Sequence, residues 1–136
     1  MSDFTDYTEQ AIRDWMSQGT AMPSAPTALE VSLHTADPTE SPDGTTEVSE
    51  ADYSRQSITA GSGWDTTTNP TLFENANAVS FTATANNWGS ITHVALSDGS
   101  GNWLASYALN NSVSIDGSGS DDTLEFAAGD LNFEIQ

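Results

Sequence analysis

Catalysis by histidine, or by a metal bound to histidine, can draw on two imidazoles only, His34 and His93. Cysteine is absent, which removes thiolate nucleophiles and thiolate-bound zinc and leaves the redox compartment open. His93 lies in segment 91–96, on the strand face of Ile91 and Ala95 and opposite Val94 and Leu96, the setting of a hydrogen-bonded structural histidine. A metal site made of His34, His93 and a carboxylate would require their strands to pair. Carboxylates are the other reactive type. With 20 Asp and Glu, pairs at glycosidase-like separation arise by number alone and none is singled out. Asp116, Asp121 and Asp122 share a Gly/Ser-rich stretch that could hold Ca²⁺, but the 1,3,5 spacing and closing Glu of an EF-hand loop are missing, so a solvated acidic loop is expected. No Gly-x-Ser-x-Gly, His-Glu-x-x-His or phosphate-loop pattern occurs. The expectation is a protein that is not an enzyme, with no cofactor and no metal.

Aromatic and cationic side chains remain. Trp88 precedes Gly89 at a strand start and Trp103 opens another strand, both positions of core or sheet-edge packing. Trp64 falls in an irregular stretch, 64–70, where an exposed indole could stack on a sugar or a neighbouring chain. It is the candidate glycan contact. Arg55 is one of two cations, with Arg13, and sits mid-strand. An unpaired guanidinium there would be prohibitively costly, so Arg55 is expected to pair with a carboxylate, within the chain or across a subunit boundary.

These residues need elements to position them. Residues 3–18 predict a helix, because Phe4, Tyr7, Ala11 and Trp15 recur at i, i+3/i+4 with Ile12 and Met16 widening the stripe. Asp3 and Asp6 suit its N-terminal end and Gly19 its stop. Burial of each large side chain is worth about 1.5–3 kcal/mol, so the stripe must pack, on its own sheet or on a neighbouring subunit. Phe4, Tyr7, Ile12 and Trp15, together with Arg55, are the candidate subunit contacts. After a proline-bearing linker, 20–26, Leu29, Val31 and Leu33 alternate with polar residues as in a half-buried strand. Residues 35–52 read as a long, mobile surface loop. Strands are expected at 53–60, 79–83, 91–96, 103–109, 113–115, 123–126 and 131–135, with a hairpin turn at 98–101, a turn at Asn110-Asn111 and a loop at 116–122. The expected fold is all-β: an antiparallel sandwich, jelly-roll or immunoglobulin-like, over 26–136, preceded by a short helical unit over 1–19.

Charge bounds the function further. Twenty acids against two arginines and no lysine give a net charge of −18. Twelve aromatic residues placed in periodic segments argue against disorder. In ordinary buffer such self-repulsion opposes a compact state. In 1 M salt the Debye length is about 3 Å and the repulsion is nearly silenced, which points to a halophilic setting. Neutralising phosphates takes Lys and Arg, so a nucleic-acid partner is excluded. No apolar run reaches the roughly 20 residues of a membrane helix, so no membrane partner is expected. The opening Met1-Ser2-Asp3 is acidic and unlike a signal peptide.

Four blocks in order resemble the short virion proteins of tailed bacteriophages known as tail fibre or minor tail proteins. The first is the strand running into Leu33-His34-Thr35-Ala36-Asp37-Pro38. The second is Glu47-Val48-Ser49 followed by Tyr53-Ser54-Arg55-Gln56. The third joins Val79-Ser80-Phe81 to Trp88-Gly89-Ser90-Ile91-Thr92-His93-Val94-Ala95-Leu96 and Ser97-Asp98-Gly99. The last is Phe126-Ala127-Ala128-Gly129-Asp130-Leu131. The resemblance spans nearly the whole chain and implies a virion component, as a tail fibre, a baseplate part or a capsid-surface decoration such as a vertex turret. The acidic surface departs from it and implies a virus of a halophilic archaeon. The expectation is a protein of the virion, assembled in the host cytoplasm as a homo-oligomer (trimer or pentamer) with other virion proteins as partners. The alternative is a carbohydrate-binding module that recognises host surface glycans. A hydrolase of surface polymers would need a cleft with two facing carboxylates.

Overall fold

The computed structural model describes residues 3–135, so positions 1, 2 and 136 of the two expected units lie outside the described residues. The chain runs β1 (Asp3–Phe4), α1 (Asp6–Gln18), β2 (Ala28–His34), β3 (Gln56–Thr59), β4 (Trp64–Asp65), β5 (Leu72–Asn75), β6 (Val79–Ala83), β7 (Asn87–Ser97), β8 (Trp103–Asp116), β9 (Asp122–Phe126) and β10 (Asn132–Glu134). Every pairing is antiparallel. One layer is a five-stranded sheet in the order β1-β8-β7-β2-β3. The other is split into β10-β5-β4 and β6-β9.

Because successive strand residues point to opposite faces, the alternation of β2 sends Val31 and Leu33 inward, where Val94 and Leu96 of β7 and Ala105 of β8 join them. Phe81, Phe126 and Phe133 from the split layer complete the core, with Phe81 and Phe126 edge to face at 6.3 Å. Each such side chain contributes about 1.5–3 kcal/mol of apolar burial. The fold is an all-β antiparallel sandwich with one short helix.

Local departures from the expected elements have local causes. The helix starts at Asp6, because Asp3 and Phe4 pair instead with Ser106 and Ala105 as a short edge strand. Thr5 does not cap the helix with its side chain; its hydroxyl donates to the Trp103 carbonyl and its N–H to the Leu104 carbonyl at 3.0 Å. Gly19 ends the helix in the left-handed region, φ 67°, where glycine has no Cβ to clash. Asn110-Asn111 make no turn: β8 runs through to Asp116 as one strand of 14 residues. Ile91 faces Val113 and His93 faces Ala108, so residues 109–112 bulge opposite Thr92 alone. Asparagine tolerates that irregular backbone as readily as it tolerates a turn. Only 56–59 of the expected strand 53–60 pair, and 64–65 of the irregular stretch form β4. Loop 35–52 is stitched down: Val48 is buried and bonds the Leu33 carbonyl at 3.0 Å, while Asp6 N–H reaches the Glu40 carbonyl at 2.8 Å.

Candidate functional site

The helix is hydrogen-bonded to the body at its start. Thr5 and Thr8 both bond the Leu104 carbonyl, Thr8 Oγ1 at 2.8 Å, and no helix side chain is fully buried. Phe4, Tyr7 and Ile12 are half-buried. Farther along the same stripe Trp15 is 57% and Met16 74% exposed. Among the described residues the other exposed large hydrophobics are Met22 (46%) and Ile135 (51%). Both flank α1: Met22 lines a groove with Tyr7, Ala11 and Leu104, and Ile135 lines another with Phe4, Ile12, Arg13 and Met16. The large apolar side chains left in water among the described residues therefore lie on α1 or beside it.

On the face of β2 and β7 turned away from the core, the burial pattern inverts. Ser32, His34 and Ser97 are polar and fully buried or nearly so. Arg55 is central to their cover. Its Nε and Nη2 bond Glu47 Oε1 and Oε2, each at 2.8 Å, and its Nη1 bonds Glu30 Oε2 and Ser97 Oγ, each at 3.2 Å. Its Cζ lies 4.6 Å from the centre of the Trp103 ring, which meets His34 edge-on at 5.4 Å. The hydrogen bonds to Glu47 lead in holding the guanidinium firmly protonated, against the effect of burial. Tyr53 OH donates to Glu47 Oε1 at 3.1 Å and accepts the Leu33 N–H at 2.9 Å. Burial pushes that phenol well up. Arg55 is thus ion-paired inside its own chain.

His34 and His93 face each other across β2 and β7. His34 Nε2 is 2.9 Å from Ser32 Oγ and its Nδ1 is 2.9 Å from Thr46 Oγ1. A serine beside a histidine is the start of a nucleophilic triad, but here Thr46 occupies the orienting position that a carboxylate fills in such triads. Ser32 and His34 are both 0% exposed, so no reacting carbonyl can sit against the hydroxyl. Burial lowers the His34 pKa to about 4, and the ring is neutral. His93 is half-buried with Nδ1 2.9 Å from Thr92 Oγ1. Among the described residues no three His, Asp or Glu side chains converge as a metal site. Asp116 and Asp122 cap their own loop: Asp122 Oδ2 accepts the Asp116 N–H at 2.9 Å, and Asp116 Oδ1 accepts the Ser118 N–H at 2.9 Å.

The resemblance read from four sequence blocks now has a fold and a site around it, and a family model provides the deciding comparison. The model of podophage GP4 fiber I protein gp80 matches residues 3–134, virtually the whole described chain. The protein belongs to this fibre family. None of the curated proteins matches it. Family membership makes the chain a tailed-phage tail fibre protein, a structural component of the virion that interacts with other virion proteins.

For a fibre protein, the position of Trp64 corrects one expectation. The ring is half-buried rather than exposed, packed edge-on against Phe73 at 5.2 Å and Phe133 at 6.3 Å. Pairing of β4 with β5 draws it inward. A residue that sequence reasoning passed over is Asp52. Its Oδ2 accepts the backbone N–H groups of Thr84 (2.8 Å), Ala85 (2.8 Å) and Asn86 (3.1 Å), and its Oδ1 accepts Asn86 Nδ2 and Trp88 Nε1, each at 2.9 Å. Trp88's hydrogen bond above all, offset by partial burial and joined by the others, holds this carboxyl well below the usual range. The side chain pins the end of loop 35–52 to the β6–β7 turn. Among twenty acids nothing marks it in the sequence.

Proposed function

We propose that this fibre-family protein is a non-catalytic structural part of the virion of a tailed virus infecting a halophile, acting by assembly. It forms a cyclic homo-oligomer, a trimer or pentamer, in contact with other virion proteins. The observation that carries this reading is the gathering of Trp15, Met16, Met22 and Ile135 around α1. Exposed apolar side chains gathered on and beside one helix of an otherwise acidic protein mark an interaction site. Residues 1–19 serve as the assembly element and 26–136 as the sandwich that carries it, with Phe4, Tyr7, Ile12 and Trp15 at the contact. Arg55 serves the fold of its own chain, since four of its hydrogen bonds are already made there.

The halophilic setting is supported by the net charge of −18. The deciding experiment is light scattering with circular dichroism across a salt series. In about 3 M salt the protein is expected to be folded and oligomeric; near 0.1 M, where the Debye length returns to about 10 Å, assembly weakens. A strict monomer in brine that never joins particles would end the assembly reading, and indifference to salt would end the halophilic one.

A further inference from the structure

We infer that residues 35–47 form an acid-released strap: protonation of His34 beneath them lifts them from the outer face of β2 and β7 while the sandwich stays folded. This goes beyond the assembly reading and does not depend on it.

Polar bonds fasten the strap. Within 35–47 only Pro38 is buried, so little apolar surface holds the segment down, and such segments open locally at low cost. Its two limbs are closed by the Thr35 N–H, which donates to the Thr46 carbonyl at 3.0 Å. Thr46 Oγ1 lies 2.9 Å from His34 Nδ1, and Glu47 adds its two-pronged bond to Arg55. Farther out the strap reaches the helix: the Glu40 carbonyl accepts the Asp6 N–H at 2.8 Å, and the Ser41 hydroxyl donates to the Asp6 carboxylate. Just past the strap, buried Val48 and the bonds of Asp52 to the β6–β7 turn supply a fixed hinge.

His34 is the group that the strap seals. Its ring is 0% exposed, between Ser32, Thr46 and the edge-on Trp103. The charged and titratable groups around it come from four directions. On β2 itself, Glu30 bonds Arg55 at 3.2 Å. From the strap, Glu47 gives both carboxylate oxygens to Arg55 and accepts the Tyr53 hydroxyl. Ahead of β3, Arg55 sets its guanidinium 4.6 Å from the centre of the same Trp103 ring. From β7, His93 faces His34 across the pair of strands. A protonated His34 would thus lose its water and share carboxylates that already serve a guanidinium. Lifting the strap returns water to the ring and removes that conflict. The neutral preference of the closed ring, with a pKa of about 4, has burial as its leading cause; Glu47 opposes it, and Arg55 and His93 add to it. The open form therefore takes up a proton that the closed form refuses, and opening gains as pH falls from 6.5 toward 4.

The test follows single amides of the full chain by NMR hydrogen exchange in about 3 M salt, at about pH 7 and pH 5, with rates corrected for the intrinsic pH dependence of exchange. Exchange at Thr35 and Asp6, whose N–H groups bond the strap, is expected to quicken by about 20-fold at the lower pH, while amides of β7 and β8 keep their protection. His34→Gln should abolish the quickening and His93→Gln should keep it. The wild-type ring gives a reading that needs no variant. With ¹³C-labelled histidine, His34 should still show the shifts of a neutral imidazole at about pH 5, as a ring sealed under the strap requires. Equal exchange at the two pH values, protection lost from β7 and β8 together with the strap, or a response that survives His34→Gln overturns the inference. So does a His34 midpoint near 6.5. None of these outcomes touches the assembly reading.

Discussion

The outer face of β2 and β7 and the tip of α1 are opposites. On the first, serine, histidine and arginine lie under cover, with Arg55 distributing its donors over Glu47, Glu30 and Ser97. On the second, tryptophan and methionine stand in water. Buried polar groups are tolerable when paired, and exposed apolar groups are tolerable in small number, so neither region is a fault of folding. The difference is one of pairing: the polar face is satisfied within one chain, and the tip leaves Trp15 and Met16 exposed, as the proposed assembly requires. Substitutions in the first should damage the monomer, and substitutions in the second should damage only assembly.

On the polar face the largest effect is expected for Arg55→Ala. Removing one partner leaves Glu47, whose side chain is 13% exposed, with its charge uncompensated beside buried groups. Fully buried pairs broken this way cost about 3–5 kcal/mol; with partial solvent screening of Arg55, about 2–3 kcal/mol is expected by denaturant unfolding in high salt. Arg55→Lys should recover little, since a point ammonium cannot reproduce the two-pronged bond to Glu47 or the stacking on Trp103. A loss no larger than that of Trp15→Ser would break the comparison. Close behind comes Gly117→Ala, because a Cβ there would lie 2.5 Å from the Ala83 carbonyl carbon and oxygen and 2.8 Å from the Thr84 nitrogen. Backbone cannot yield as a side-chain tip does, and about 1–3 kcal/mol is expected to be lost in thermal melts.

Acid should reach the polar face before it reaches the tip. His34 titrates at about 4 in the fold and near 6.5 when unfolded. Between those values the unfolded chain binds a proton that the native chain does not, so stability falls as the pH drops from 6.5 toward 4, by up to about 2–3 kcal/mol. Below that window Asp52 acts with the usual carboxylate sign: its pKa is depressed by folding, so its contribution is present above the unfolded value of 3.8 and lost below it. Thermal melts from pH 7 to 4.5 should slope for the wild type and flatten for His34→Gln. Equal slopes would mean that the imidazole is not the group responsible.

Alternation in β2, β6 and β7 made the sandwich and most of its core readable from residue order, because period 2 is a local property. What covers the second face of β2 is not local. Glu30, Ser32 and His34 fall on its polar positions, and Ser32 and His34 are buried under the returning loop 35–52, which brings Thr46 and Glu47 over this face, and under Trp103. Tyr53 looked like a strand residue by propensity, yet its value lies in a hydroxyl that reaches Leu33 and Glu47. The helix stripe was visible as a pattern. How far along α1 the body stops supporting it was not, because that depends on where Leu104 falls relative to Thr5 and Thr8.

Trp64 tests the comparison where it is weakest. Its ring is held among Phe73 and Phe133 like a core side chain, but its Nε1 is buried with no hydrogen-bond partner among the described residues. If polar atoms are retained under cover only when paired, this N–H is a standing cost, and removing it should offset part of what a smaller ring loses in packing. An unsatisfied buried donor costs about 1–3 kcal/mol, and shrinking an indole to a phenyl forfeits a similar amount of contact. Trp64→Phe is therefore expected to leave stability within about 1 kcal/mol of wild type, while Trp64→Ala loses about 3 kcal/mol or more. A penalty for Trp64→Phe as large as for the alanine would show that the indole nitrogen has a partner in solution. The buried side-chain polar atoms among the described residues would then follow one rule without exception.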